Sequence, residues 1–326
     1  MDVNNIPMSS VALPNIPKIG LGTWKMDNDK AYEVVLKAIK IGYRYIDCAW
    51  EYENEVGVGK AIKEAIDTGI VKREDLFIVT KLWNTYHRPD LVEVNIKDSL
   101  KRLNLTYVDL YVIHWPLAFK PGDDPYPRVN GHIQYDKVPL CDTWKAMEEL
   151  TKPKENRPFL AKYIGVSNFP SILLHDLIMY STIRPIANQI ETHLYLQQPD
   201  LIKWCEKNNI IVMAYSPLGG SYDYGKTVTD KKFEHPLKNS SVLSIAKQKN
   251  CSPSDIIYAW HRQRADKYVI VSKSENEGRL KQALKIMDGS LKIELTKEEM
   301  DLLSKEDKNL RLNDAAKVFW EIPSFE

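Results

Sequence analysis

The sequence predicts an α/β protein in which eight parallel β-strands close into a (β/α)8 TIM barrel. Short apolar strands alternate with segments of helical periodicity along the 326 residues, and this alternation indicates parallel βαβ units. Eight such units close into a barrel rather than an open sheet. Because neither an internal repeat nor a low-complexity linker interrupts the chain, we expect residues 1–326 to form one domain.

The strands are predicted from short runs that are rich in apolar, aromatic and β-branched residues. In chain order they cover residues 18–22, 43–47, 75–81, 108–114, 161–167, 186–189, 210–215 and 269–271. The third run is apolar almost throughout, which is typical of strands that are covered on both faces.

The helices are predicted from apolar residues that recur at a spacing of three and four. They cover residues 29–41, 56–68, 89–103, 140–150, 171–180, 199–207, 240–249, 275–284 and 298–305, with one more that ends at Arg264 after Pro253-Ser254-Asp255. Pro89 opens the third helix, where proline is favoured because its missing N–H would have no helical partner.

Two predicted loops are longer than about a dozen residues, a length that is uncommon unless the loop is functional. Residues 116–137 follow the fourth strand and residues 216–236 follow the seventh. Both loops leave the C-terminal face of the barrel, which is where barrels of this kind carry their active sites. We therefore expect the active site at this face.

Composition excludes several classes of protein. The formal net charge of +1 gives no indication of nucleic-acid or anionic-membrane binding. Four cysteines without a CxxC pair indicate neither a zinc site nor a disulfide framework. Residues 1–10 lack a basic region followed by an apolar run, and no apolar run reaches membrane-spanning length. We expect a cytoplasmic protein, monomeric or homodimeric, that acts on a small molecule.

Four titratable side chains follow neighbouring predicted strands. Asp47 ends the second strand and Tyr52 lies in the loop after it, while Lys81 and His114 end the third and fourth strands. Each has a structural alternative, such as a carboxylate that caps a helix or a tyrosine that fills the core. Four such groups together at one end of a barrel favour a catalytic site.

These side chains have a definite chemistry. A lysine ammonium beside a tyrosine favours the phenolate and lowers its pKa from about 10. Asp47 could keep Lys81 charged and oriented, and a neutral His114 can donate a hydrogen bond to a carbonyl oxygen. Together they would polarise a carbonyl group and protonate its oxygen while hydride reaches the carbon. The His and carboxylate spacing does not indicate a metal site.

The chain resembles the aldo-keto reductases from end to end. The matching motifs are Gly20-Leu21-Gly22-Thr23-Trp24, Gly42-Tyr43-Arg44-Tyr45-Ile46-Asp47, Lys81-Leu82-Trp83, His114-Trp115-Pro116, Gly165-Val166-Ser167-Asn168-Phe169, Ala214-Tyr215-Ser216-Pro217-Leu218-Gly219 and Lys273-Ser274 with Arg279. This resemblance implies a barrel, a nicotinamide cofactor bound without a Rossmann domain, and a catalytic tetrad of Asp47, Tyr52, Lys81 and His114.

The same resemblance implies which residues bind the cofactor. Ser167, Asn168 and Gln189 would hold the carboxamide, and Tyr215 would stack on the nicotinamide ring. The remaining cofactor residues would be Thr23, Trp24, Asp47, Ser216, Leu218, Lys273, Ser274 and Arg279. Two cations, Lys273 and Arg279, suit a 2′-phosphate, whereas the carboxylate of Glu275 opposes one. We therefore expect NADPH to be preferred and NADH to be tolerated.

Within the family, the chain most resembles yeast xylose (aldose) reductases. The resemblance includes the tail, residues 309–326, which would close the substrate pocket. That pocket would contain Trp24, Trp83, His114, Trp115 and Asn313. The implied function is reduction of an aldehyde or xylose-like aldose with Tyr52 as the proton donor. The alternatives are a general carbonyl or dicarbonyl reductase and a non-catalytic barrel subunit that binds the cofactor.

Overall fold

The computed structural model describes residues 13–154, 158–220 and 233–322. The predicted absence of a secretory signal in residues 1–10 falls outside these ranges. So do most of the second long loop, from residue 221 to 232, and the end of the tail, residues 323–326.

Eight parallel strands close into a barrel in the described part of the chain, which confirms the predicted fold class. They are β1 (Ile19–Gly22), β2 (Tyr45–Asp47), β3 (Phe77–Leu82), β4 (Val108–Ile113), β7 (Ala161–Ser167), β8 (Ala187–Glu191), β9 (Ile211–Tyr215) and β10 (Tyr268–Ser272). Their order around the barrel is β1-β10-β9-β8-β7-β4-β3-β2. Each predicted strand is present, with bounds that differ by at most two residues.

The helices in the described ranges are α1 (Asn28–Ile41), α2 (Glu55–Asp67), α3 (Pro89–Leu103), α4 (Leu140–Glu149), α5 (Ser171–Tyr180), α6 (Pro199–Lys207), α7 (Ser240–Lys249), α8 (Pro253–Arg264), α9 (Glu277–Met287), α10 (Lys297–Ser304) and α11 (Ala315–Trp320). One prediction of a helix start was wrong. Helix α9 begins at Glu277 rather than Glu275, because the Asn276 side chain accepts a hydrogen bond from the Arg279 N–H and caps the helix there.

The loop after β4 holds a small hairpin that the sequence analysis missed. Strands β5 (Arg128–Val129) and β6 (His132–Ile133) pair antiparallel across Asn130-Gly131. Both turn residues have positive φ, 53° and 86°, as the tight hairpin turn favoured by Asn-Gly requires. That dipeptide was the signal that could have predicted the hairpin.

Strand alternation places the polar side chains. Phe77 and Val79 of β3 and Leu110 and Val112 of β4 pack together with Tyr45 of β2 inside the barrel. Because successive side chains alternate between faces, the next inward positions at the C-terminal ends are Asp47, Lys81 and His114. The apolar barrel interior therefore forms the floor of a polar site.

Gly20 allows one element of this floor to form. A Cβ atom at Gly20 would lie 2.4 Å from a ring carbon of Tyr45, so only glycine leaves room for the ring. The Tyr45 hydroxyl donates to Asp47 Oδ2 at 3.1 Å. The glycine of β1 thus indirectly supports the carboxylate at the end of β2.

Candidate active site

A buried ion pair lies at the base of the site. Lys81 Nζ is 2.6 Å from Asp47 Oδ1 and also donates to the Cys48 carbonyl oxygen at 2.8 Å. Lys81 is fully buried and Asp47 is 2% exposed. Two charges removed from water in this way need excellent geometry and further hydrogen bonds. The predicted pairing of Asp47 with Lys81 is present.

Further hydrogen bonds hold the second oxygen of the carboxylate. Asp47 Oδ2 accepts from Gln189 Nε2 at 2.6 Å as well as from the Tyr45 hydroxyl. Gln189 lies on β8, on the opposite side of the barrel from β2. The carboxylate is therefore fixed from several strands, and so is the ammonium group that it pairs with.

Tyr52 lies over this ion pair. It ends a short 3-10 turn, Trp50–Tyr52, after β2, and its ring centroid lies 4.9 Å from Lys81 Nζ. Burial raises the pKa of Tyr52 well above its ordinary value, and the negative charges of Asp47 and Glu51 add to the effect. The prediction that Lys81 lowers the pKa of Tyr52 was wrong. The phenol is desolvated, and the positive charge of Lys81 is balanced by its ion pair with Asp47. Tyr52 is therefore a phenol that holds its proton at neutral pH.

His114 lies beside Tyr52, with its ring centroid 5.8 Å from that of Tyr52 and 5.2 Å from that of Trp83. Burial lowers the pKa of His114 well below its ordinary value, and the Lys81 ammonium lowers it further. The imidazole is therefore neutral, as the sequence analysis predicted. A neutral imidazole can donate one hydrogen bond without adding a positive charge to the site.

A cavity of about 910 Å³ opens above these groups, within the usual size range of small-molecule sites. Lys81 lies beneath it. The other predicted site residues all line it: Thr23, Trp24, Asp47, Tyr52, Trp83, His114, Trp115, Ser167, Asn168, Gln189, Tyr215, Ser216, Leu218, Lys273, Ser274, Arg279 and Asn313.

Amide and hydroxyl groups at the ends of β7, β8 and β9 form a connected network in the cavity wall. Asn168 Nδ2 donates to the His114 carbonyl oxygen at 2.9 Å, and the Tyr215 hydroxyl donates to Asn168 Oδ1 at 2.8 Å. Ser167 Oγ donates to the Gln189 carbonyl oxygen at 2.9 Å. Such fixed polar groups can orient a planar carboxamide, and the Tyr215 ring can cover its apolar face.

Three charged residues that follow β10 in the chain also line the cavity. Lys273 and Arg279 are exposed, as is Glu275 between them. Lys273 Nζ donates to the Lys25 carbonyl oxygen at 3.2 Å. Although the Lys273 side chain is exposed as a whole, loss of water around its ammonium group lowers its pKa, and the negative charge of Glu275 opposes that shift. The two cations suit an anionic group such as a phosphate.

The rest of the cavity wall is mostly aromatic, and the sequence analysis missed much of it. The missed lining residues of this wall are Glu51, Tyr126, Arg128, Ala315, Phe319 and Trp320. Trp320 of α11 packs edge-on against Trp115 at a centroid distance of 5.1 Å and against Phe119 at 5.2 Å. The aromatic residues near the end of the tail were the signal that could have indicated this packing.

The hairpin and the tail helix are joined to each other. Arg128 donates to the Phe319 carbonyl oxygen at 2.9 Å, and the Tyr135 hydroxyl donates to the Trp320 carbonyl oxygen. Tyr126 is hydrogen-bonded to the Glu51 carboxylate beside Tyr52. Burial raises the pKa of Glu51 to about 7, although the bond from Tyr126 lowers it in part. The aromatic wall is therefore preformed.

The described ranges contain no cluster of three or more His, Cys, Asp or Glu side chains that could hold a metal ion. The helices found there are too short or too polar to cross a membrane.

Comparison with known proteins identifies related sequences. Residues 18–307 match the Aldo/keto reductase family. The chain is 40% identical over 311 residues to "Aldo-keto reductase family 1 member A1" of Gallus gallus, covering 92% of this chain and 89% of that protein. It is also 40% identical over 308 residues to "NAD(P)H-dependent D-xylose reductase I,II" of Candida tropicalis, covering 92% and 91% of the two chains.

A solved structure has the same fold. The aldose reductase of Giardia lamblia superposes with a TM-score of 0.84 and 36% sequence identity, covering 95% of this chain and 98% of that one. The two sequence relatives are equally identical to this chain, and only the name of the C. tropicalis protein specifies a substrate, D-xylose. Overall identity therefore does not select between an aldose and another aldehyde.

Proposed function

The chain belongs to the aldo/keto reductase family, and we propose that it reduces an aldehyde or aldose to the alcohol with NADPH in this cavity. Membership makes it an NAD(P)H-dependent oxidoreductase that acts on carbonyl groups. The observation that carries the proposal is the Tyr52 phenol above the Asp47–Lys81 pair, with a neutral His114 at its side. Aldehyde-dependent oxidation of NADPH by the purified protein tests it.

Tyr52 is the proposed proton donor. The reduced cofactor, when bound, supplies a hydride to the carbonyl carbon. Negative charge then develops on the carbonyl oxygen, and the Tyr52 hydroxyl donates its proton there. The raised pKa supports this role, because the phenol remains protonated before the reaction.

Lys81 and His114 support the transfer in different ways. The Lys81 ammonium lies below the Tyr52 ring and stabilises the phenolate that remains after the proton has left. Asp47 keeps the ammonium in position. His114, being neutral, donates a hydrogen bond that orients and polarises the carbonyl oxygen.

The proposed cofactor site follows the ends of β7 to β10. Ser167, Asn168 and Gln189 would bind the carboxamide, and the ring of Tyr215 would cover the nicotinamide. The other residues that would hold the cofactor along the cavity are Thr23, Trp24, Asp47, Ser216, Leu218 and Ser274. The residues fit this group because a connected amide network lies next to His114, and a separate pair of cations lies beyond β10.

Lys273 and Arg279 are proposed to bind the 2′-phosphate and so to favour NADPH. Glu275 lies between them in sequence, and its charge interacts with that of Lys273. Two cations outnumber one anion, and the exposed carboxylate can turn toward solvent. NADH therefore remains a usable but poorer cofactor.

Replacing Glu275 with Asn is expected to raise the ratio of kcat/KM for NADPH to that for NADH by about two- to fivefold, the effect of one exposed charge interaction. The measurement is steady-state kinetics with both cofactors at low salt. Glu277→Gln is a matched control, because Glu277 is exposed at the start of α9 but does not line the cavity. An unchanged ratio in Glu275→Asn would remove Glu275 from cofactor selection.

The proposed substrate site is the aromatic part of the cavity. Trp24, Trp83 and Trp115 offer flat apolar faces, and Asn313 offers an amide for a hydroxyl group. An aldose has both an apolar carbon face and hydroxyl groups, so it fits this combination. The C. tropicalis relative, named as a D-xylose reductase, supports this choice.

Asn313→Ala is expected to lower kcat/KM for D-xylose by about tenfold and kcat/KM for benzaldehyde by less than about twofold. A lost hydrogen bond to a buried partner costs about 1–3 kcal/mol. Benzaldehyde has no hydroxyl group, so it has no such hydrogen bond to lose. Parallel assays of the two substrates at saturating NADPH measure the difference. Equal losses for both substrates would argue against a contact between Asn313 and a sugar hydroxyl.

A general carbonyl reductase is the second candidate. Phe319, Trp320 and Tyr126 extend the apolar wall beyond the three predicted indoles, which favours aromatic aldehydes or dicarbonyls. A substrate panel that includes xylose and aromatic aldehydes distinguishes the two. The intact tetrad argues against a non-catalytic subunit.

The cellular location and the oligomeric state stay predictions. We propose a cytoplasmic monomer or homodimer that acts on a small carbonyl compound. Light scattering of the purified protein gives the oligomeric state, and fractionation of the cells that produce the protein naturally gives the location.

A further inference from the structure

A buried carboxylate at the end of β8 binds the backbone of the tail. Glu191 is fully buried. Its Oε1 accepts a hydrogen bond from the Leu312 N–H at 2.9 Å, and its Oε2 accepts one from the Asn313 N–H at 2.9 Å. One side chain of the barrel thus binds two consecutive N–H groups of a segment more than a hundred residues away in sequence.

The barrel side also holds this carboxylate in place. His193 Nε2 lies 3.0 Å from Glu191 Oε1. His193 Nδ1 accepts a hydrogen bond from the Tyr195 N–H, so the ring proton is on Nε2 and is donated to Glu191. Arg311 NH1 lies 3.9 Å from Glu191 Oε2. A hydrogen bond to an ionised carboxylate, such as the one from His193, is stronger than a hydrogen bond between neutral groups. At 3.9 Å, Arg311 forms an ion pair with Glu191 rather than a hydrogen bond.

The ionised form of Glu191 fits these contacts. Burial by itself raises the pKa of a carboxyl group, but the hydrogen bond from His193, the positive charge of Arg311 and the Leu312 N–H outweigh burial here. The pKa of Glu191 therefore lies below its ordinary value.

The anchored segment leads directly into the substrate wall. Asn313 lines the cavity, and Asp314 then caps α11 by accepting from the Lys317 N–H at 3.2 Å. Helix α11 contributes Ala315, Phe319 and Trp320 to the same wall. The backbone position at residues 312 and 313 therefore determines where the side chains of Asn313 and α11 lie relative to the proposed catalytic groups.

We infer that Glu191 is a positioning residue that sets substrate discrimination by holding Asn313 and α11 over the cavity. It does not line the cavity, so it acts only through the tail. The inference rests on the proposed function, because discrimination is measured on aldehyde substrates. It adds a residue of β8 that does not line the cavity and that reaches the proposed substrate site only through the backbone of Asn313.

The first test is a double-mutant cycle between Glu191→Gln and Asn313→Ala. A glutamine would turn an NH2 group toward one of the two tail N–H donors, so one anchor is lost. We expect Glu191→Gln to lower the ratio of kcat/KM for D-xylose to that for benzaldehyde by about tenfold. Both changes act through the contact between Asn313 and the substrate. The substrate ratio in the double variant should therefore be little lower than in either single variant. Additive losses would overturn the inference.

The matched control is Glu148→Gln. Glu148 is also buried, and its Oε1 accepts two consecutive N–H groups, from Thr182 at 2.7 Å and Ile183 at 2.8 Å. These N–H groups lie before β8, away from the tail. A purely structural effect of losing a buried carboxylate would appear in both variants, whereas the substrate ratio should change only in Glu191→Gln. The same change of ratio in both variants would contradict the inference.

Hydrogen exchange measures the hydrogen bonds between Glu191 and the tail without any substrate. The amides of Leu312 and Asn313 should exchange at least about tenfold faster in Glu191→Gln than in the wild type, while amides of β3 and β4 keep their protection. If Glu191→Gln does not fold, Glu191→Asp provides a shorter carboxylate for the same measurement. Unchanged exchange at residues 312 and 313 would overturn the inference. A wild type that reduces neither aldehyde would instead contradict the proposed function.

Discussion

Tyr52→Phe is expected to lower kcat for aldehyde reduction by at least about a hundredfold, the usual lower bound of a general-acid contribution. The phenylalanine ring can keep the position 4.9 Å from Lys81 Nζ, so the loss is restricted to the hydroxyl proton. Steady-state oxidation of NADPH with a simple aldehyde measures the effect, and cofactor fluorescence measures binding separately.

Two results would contradict this assignment. A Phe variant that retains most of its turnover would show that Tyr52 does not donate the proton. A variant that no longer binds NADPH would show that Tyr52 shapes the cofactor site. Tyr126→Phe is the matched control, since this second phenol lines the same cavity and is hydrogen-bonded to Glu51. Its turnover should fall far less.

The second large effect is expected at His114. Without the imidazole, the developing negative charge on the carbonyl oxygen loses one oriented donor, which typically lowers kcat by about a hundred- to a thousandfold. His114→Ala should show this loss in aldehyde reduction. Cofactor binding should survive, because Asn168 Nδ2 bonds to the His114 backbone carbonyl, which the substitution retains.

His114→Gln supplies the control for this prediction, because glutamine retains a side-chain N–H donor of moderate length. We expect it to recover part of the turnover that His114→Ala loses. If His114→Ala loses cofactor binding and turnover to the same degree, His114 supports the fold of the site rather than the carbonyl group.

The sequence predicted the barrel because its signals are local and repeated. Alternating apolar strands and amphipathic helices appear in each βα unit, so one uncertain boundary does not alter the fold. The positions of the proposed catalytic groups were predictable for the same reason. Asp47, Lys81 and His114 occupy inward positions at strand ends, and the C-terminal ends of parallel strands meet at one face.

The electrostatics of the site were less predictable. The presence of Lys81 close to Tyr52 suggested a lowered pKa for the Tyr52 phenol. The direction of the shift depends on how deeply the phenol is buried and on which anion pairs with the Lys81 ammonium. Only the folded structure shows that Asp47 forms the ion pair with Lys81 and that the Tyr52 phenol is desolvated. Such terms arise from contacts between strands and loops, which no local pattern records.

The aromatic wall of the cavity was missed for a related reason. Helix α11 has six residues, and an isolated helix of that length is unstable in water. It forms because Trp320 packs on Trp115 and Phe119, and because Arg128 of the hairpin binds the Phe319 carbonyl oxygen. These are contacts between segments far apart in sequence, so composition and periodicity do not reveal them.

We propose that NADPH bound in this cavity transfers a hydride to an aldehyde while Tyr52 supplies the proton. The most direct measurement is the ultraviolet absorbance of NADPH incubated with the purified protein and a panel of aldehydes that includes D-xylose and benzaldehyde. We expect saturable, aldehyde-dependent loss of the NADPH signal that is nearly abolished in Tyr52→Phe. Tight binding of NADPH without its oxidation by any aldehyde of the panel would contradict it.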